Sequence, residues 1–136
     1  MAKILGMQRI ALAIAVIGFA ISVYLISVQY TVAPLACPTV GIINCETVLT
    51  SQYSKIFGVD NSILGAIFFL LDIAIILKYF GKDAMVLYNV VGIAFVIYYI
   101  FTEYLLGKIC VYCTAVHICV LLLFLIAIKS NIRANG

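Results

Sequence analysis

Cys110 and Cys113 bracket Val111 and Tyr112 at the start of a twenty-residue uncharged apolar run, Ile109 to Ile128. Two thiols at that spacing share one face of a helix and lie within disulfide reach, the arrangement of many thiol oxidoreductases. At a helix start the macrodipole and the free backbone N–H groups favour a thiolate, and Lys108 adds positive charge nearby. The pair is therefore expected to be redox-active with a lowered thiol pKa. Half of a zinc site is the competing reading, and it needs a second cysteine pair on the same side. The only other pair, Cys37 and Cys45, has seven residues between its members, wider than the usual short knuckle.

Taken alone, Cys37 and Cys45 read as a structural staple. Beside a helix-end dithiol on the same face of a membrane they read as a shuttle, because thiol–disulfide exchange needs a mobile sulfur. Pro34, Pro38 and Gly41 break helix around Cys37 and put it on extended chain. Asn44 can cap a short helix carrying Val48, Leu49, Tyr53 and Ile56, with Cys45 in its first turn. Gly58 and Asp60 to Ser62 then turn the chain into the next apolar run. Cys119 follows Cys113 by six residues, about 240° round a helix, and is expected to pack as a small apolar side chain.

His117 is the one histidine, four residues after Cys113 and seven after Cys110, so all three share a stripe. An ionisable group that deep in a membrane helix normally faces the bundle interior or a cavity. It either bonds a backbone carbonyl there or lines the pocket that Cys113 faces. Asn61 reads by itself as a helix cap. Asp72 and Asn89 can pair in the bundle core, and Tyr24, Tyr88, Tyr98 and Tyr99 are interfacial or core aromatics, some of which can line a ring-binding cavity.

The elements that must position these groups follow from composition. Of the 136 residues 67% are apolar and 10% charged, far outside the soluble range of roughly half and about a quarter. Four runs are long enough to cross a ~30 Å hydrocarbon core, giving an all-α membrane protein of four transmembrane helices at about 8–30, 62–80, 84–104 and 109–129. An outer loop spans 31–61, and the whole of 1–136 is one domain. The first run is read as a retained helix, because it is longer than a signal-peptide core and Pro34 sits where cleavage wants a small residue.

Lysine and arginine set the orientation. With the N-terminus inside, Lys3, Arg9, Lys78, Lys82, Lys129 and Arg133 are cytoplasmic and only Lys55 and Lys108 lie outside, 6 of 8 against 2. Both termini are thus expected in the cytoplasm and both cysteine pairs on the extracytoplasmic face, where disulfides persist. The topology accounts for the net charge of +3, so no nucleic-acid partner is needed.

The order and spacing of these residues resemble the vitamin K epoxide reductase family in its stand-alone microbial form. The resemblance rests on Cys37 and Cys45, Ser51 six residues later, the run Asn61-Ser62-Ile63-Leu64-Gly65, and Cys110-Val111-Tyr112-Cys113-Thr114. It spans nearly everything from Tyr24 onward. It implies a four-helix bundle around a quinone, menaquinone or ubiquinone, with the outer loop folded over it as a cap and short helix.

By that resemblance Cys37 exchanges with a thioredoxin-fold (DsbA-like) partner, Cys45 passes electrons to Cys110, and Cys113 faces the quinone. Asn61 then bonds a quinone carbonyl, Ser51 lies beneath the cap, and His117 stands where animal enzymes carry tyrosine. Leu49 and Tyr53 also differ from the animal pattern. The chain ends eight residues after Ile128, so the partner is expected to be a separate protein, and the enzyme a monomer in the bilayer without a metal. Three alternatives stay open: quinone or quinone-epoxide reduction as the physiological direction, a small metal transporter, and a structural four-helix protein stapled by two disulfides.

Overall fold

The computed structural model describes residues 2–31, 41, 43, 52, 55, 56 and 58–136. Its helices are α1 (Ala2–Thr31), α2 (Asn61–Tyr79), α3 (Asp83–Leu106) and α4 (Val111–Asn135). Each contains a stretch long and apolar enough to cross a membrane, the shortest being the 19 residues of α2. At ~1.5 Å per residue that helix just spans the hydrocarbon core. Large aliphatic side chains such as Leu77, Leu87 and Ile97 point outward, which lipid tails tolerate and water would not.

Between these helices the hydrophobic effect gives little attraction, so close backbone approach has to hold them together. α1 supplies it with a stripe of mostly small residues, Ala11, Ala15, Gly18, Ser22 and Leu25, repeating every three or four positions. A Cβ on Gly18 would stand 2.5 Å from the Phe69 ring, so only glycine lets α2 seat there. α1 packs most extensively on α2 and next on α4, and α3 packs on α4. The α2–α3 seam is the least closely joined of the four, and a cavity opens beside it.

The ends of the bundle are tied by polar contacts. At one end Gln8 donates to the Ile76 carbonyl at 2.9 Å, and Asn131 donates to Gly81 O at 3.1 Å and to Asp83 at 2.8 Å. At the other, the Tyr30 hydroxyl donates to Asp60 at 2.7 Å and the Ser62 hydroxyl donates to Gln29. Midway, Asn89 donates to Asp72 at 3.2 Å and to Met85 O at 2.9 Å, the expected core pair.

Three details differ from the sequence expectation. Gly58, at φ +80, does not simply lead into α2: it turns a short antiparallel hairpin of β1 (Lys55–Ile56) and β2 (Val59–Asp60). Asp60, not Asn61, occupies the N-cap position of α2, and Asn61 is its first helical residue. The last helix starts at Val111 rather than 109, because Ile109 is drawn into a parallel bridge with Ile43 and leaves Cys110 as the cap. The short helix expected after Asn44, with Leu49 and Tyr53, lies outside the described residues, as do Cys37, Cys45 and Ser51.

Candidate functional site

Cys110 and Cys113 sit on either side of a helix start, and that gives them different environments. Cys110 has extended φ/ψ at the N-cap of α4, and its sulfur accepts the Cys113 backbone N–H at 3.3 Å. It is fully buried. The Cys113 S–H and the N–H groups of Cys113 and Tyr112 hold the Cys110 thiol below its ordinary pKa, while burial and the nearby Glu103 charge oppose the shift. Lys108, expected to help, is engaged elsewhere, since its ammonium donates to the Gly41 carbonyl at 3.2 Å. Cys113, one turn into the helix, lines the cavity.

That cavity holds about 250 Å³, just below the ~300–1,000 Å³ usual for ligand sites, and its walls are almost wholly apolar. All four helices line it. Ser22 comes from α1, Asn61 and Phe68 from α2, Phe95 and Tyr99 from α3, and Cys113 and His117 from α4. The sequence stripe thus holds: Cys113 and His117 face one space while Cys119 is buried in the apolar core. Asn61, at the mouth of α2, lines the same space. Glycine makes room for it, since a Cβ on Gly92 would stand 2.6 Å from the Phe68 ring and one on Gly65 2.9 Å from the Ser22 hydroxyl.

Tyr99, one of the four tyrosines expected as interfacial, core or cavity-lining aromatics, lines this cavity. The Tyr99 ring stacks on the His117 imidazole with centroids 6.0 Å apart and an 11° interplanar angle. Its hydroxyl is buried and has no hydrogen-bond partner among the described residues. A buried phenol without a partner costs free energy, so a ligand that accepts its hydrogen bond offsets that cost. Glu103 lies one turn further along α3 and is buried. A carboxylate in a membrane helix is a functional signal by itself. It falls inside the 84–104 span expected for the third helix, where the sequence reading gave it no role.

An apolar ligand that accepts a hydrogen bond fits these walls. Phe68, Phe95 and Tyr99 line the space, and the buried Tyr99 hydroxyl finds no hydrogen-bond partner among the described residues. The family model described as "Vitamin K epoxide reductase family" matches residues 9–128, nearly all of the bundle. The chain belongs to the vitamin K epoxide reductase family. No curated protein is similar enough to count as a match. Membership makes this a multi-pass membrane oxidoreductase of the quinone-linked thiol oxidoreductase and epoxide reductase kind. In this member of the vitamin K epoxide reductase family, the Cys-x-x-Cys pair opens α4 and one of its thiols faces the cavity.

Proposed function

We propose that the protein generates disulfides in a separate extracytoplasmic thioredoxin-fold (DsbA-like) protein and passes the electrons to a membrane quinone. The observation that carries this reading is the position of Cys113 in the wall of an apolar cavity that also holds Tyr99 and His117.

In the forward direction a partner thiolate attacks Cys37 of a Cys37–Cys45 disulfide. The released Cys45 thiolate attacks Cys110 of the Cys110–Cys113 disulfide, and Cys113 leaves as the thiolate. The partner's second thiol then displaces Cys37 to close the partner's own disulfide, and Cys37 displaces Cys110 from Cys45, restoring Cys37–Cys45 and leaving Cys110 and Cys113 reduced. A bound quinone supplies a two-electron, two-proton acceptor. Cys113 presents its sulfur to the cavity, and the Tyr99 hydroxyl, Asn61 and His117 offer polar atoms that orient carbonyl oxygens and stabilise charge developing on them.

The relay is supported by contacts at the bundle mouth. Ile43, two residues before Cys45, bridges to Ile109, the residue before Cys110, and Gly41 accepts from Lys108. Gly41 and Ile43 are thus held beside the residues that precede Cys110. The 6 to 2 bias of basic residues supports an extracytoplasmic location for this end, with both termini inside.

Trapping tests the reading. A thioredoxin-fold protein stripped of its resolving cysteine is expected to form a mixed disulfide with Cys37, reachable by membrane-impermeant reagents on intact cells. A protein whose two pairs stay oxidised and unreactive, or whose Cys37 labels only in inverted vesicles, is not the enzyme described.

A further inference from the structure

The connection between α3 and α4 is shaped to receive a strand. Gly107, at φ +68, ends α3 in the left-handed conformation, and its N–H donates to Glu103 O at 3.0 Å and Tyr104 O at 3.2 Å. Cys110 is already extended, at φ −98 and ψ 119, so the chain straightens between the two helices. Two contacts join this stretch to the outer segment. Ile109 forms a parallel bridge with Ile43, and the Lys108 ammonium donates to the Gly41 carbonyl at 3.2 Å across 67 residues of sequence. Gly41 is itself at φ +60, and a Cβ placed on it meets nothing within 4 Å, so backbone conformation rather than space calls for glycine there.

We propose that Lys108 is a positioning residue, which together with the Ile43–Ile109 bridge clamps the outer segment so that Cys45 is presented to Cys110. This rests on the disulfide-generating reading and names what aims its internal step. Cys45 follows Ile43 by two residues and Cys110 follows Ile109 by one. Two residues extend at most ~7 Å, and bridged strands lie ~4.8 Å apart. The bridge therefore replaces a long loop by a short tether, and a short tether gives two groups a high effective concentration. In the step it serves, the Cys45 thiolate attacks the Cys110 sulfur and a Cys45–Cys110 bond forms. The Cys110–Cys113 bond breaks, and its electron pair leaves on Cys113. Lys108 takes neither proton nor electron. Cys37 precedes Gly41 by four residues and so stands outside the clamp, where a protein partner meets it.

The test uses the full-length protein in detergent with Cys37, Cys113 and Cys119 replaced by alanine, which leaves the thiols of Cys45 and Cys110. Equilibration with glutathione, read by mass spectrometry, gives their effective concentration, since one oxidised glutathione is reduced to two thiols for each Cys45–Cys110 disulfide formed. Lys108→Gln is expected to lower it by about fivefold, the loss of one charged hydrogen bond at a wet surface. Lys108→Arg keeps a cationic donor and is expected to restore most of it. In the protein with all its cysteines, Lys108→Gln is expected to slow quinone reduction by a reduced thioredoxin-fold protein by about the same factor. The dithiothreitol-driven rate is expected to hold, because that donor reaches Cys110 and Cys113 without Cys45. A third readout separates a clamp from a charge acting on the thiol. The pH midpoint for alkylation of Cys110 in reduced protein is expected to stay in place in Lys108→Gln, whereas loss of an ammonium that stabilised the thiolate directly would raise it. An unchanged effective concentration, equal slowing with both donors, or a raised midpoint overturns the proposal. If the parent protein reduces no quinone with either donor, the disulfide-generating reading falls and this one with it. An unchanged effective concentration in a parent that does reduce quinone removes only the role of Lys108.

Discussion

The backbone N–H of Cys113 donates to the sulfur of Cys110 at 3.3 Å, so the residue that caps α4 is also the member of the pair that best carries negative charge. Its thiol is held below the ordinary value chiefly by the Cys113 S–H. A lowered thiol pKa means that the thiolate persists at a pH where a free cysteine, at ~8.5, is protonated. Any stability gained this way is present above the free-thiol pKa and is lost as pH falls through the folded one. Alkylation of reduced protein is expected to show Cys110 titrating below a free cysteine, and Cys113→Ala to raise its midpoint by removing the S–H donor. A lower midpoint in Cys113→Ala would contradict the assignment.

Tyr99→Phe removes a hydroxyl that finds no partner among the described residues. Without quinone the variant is expected to be as stable as the parent or more so, by up to ~1–3 kcal/mol, since an unsatisfied buried polar atom is gone. With quinone it is expected to bind more weakly and turn over more slowly. Thermal unfolding and quinone titration check the two halves. A loss of stability without ligand would mean that the phenol is already satisfied in the bundle.

Asp72 and Asn89 are both fully buried and bond each other at 3.2 Å. Asn89→Leu leaves the carboxyl alone and is expected to destabilise the bundle by ~1–3 kcal/mol. Replacing both by leucine is expected to recover much of that loss, because two apolar side chains leave no buried group unpaired. Unfolding of the three variants in detergent measures the coupling. Additive losses would show that the pair does not act as a unit.

The bundle was legible because membranes impose few rules, and long apolar runs obey them. Cys113 and His117 on one stripe, Cys119 turned into the core, and the Asp72–Asn89 pair all followed from helical periodicity. What the periodicity missed lay at helix ends and across helices. A single long-range bridge between Ile43 and Ile109 moved the start of α4 by two residues, and no local pattern encodes that. The hairpin at Lys55–Asp60 is two residues per strand, too short for an alternating signature. Tyr99 acquires its place from the facing His117. Such pairings are properties of the packed bundle rather than of either segment.

Separating the two cysteine pairs gives the most direct measurement of the central claim, that electrons enter the cavity through Cys113. Quinone reduction is followed with two electron donors, dithiothreitol and a reduced thioredoxin-fold protein. Cys37→Ala is expected to lose the reaction with the protein donor and keep it with dithiothreitol, because Cys110 and Cys113 remain intact. Cys113→Ala is expected to lose both, and Cys119→Ala neither. Quinone reduction by dithiothreitol that survives in Cys113→Ala would contradict the account, since the sulfur in the cavity wall would then not be the one that delivers the electrons.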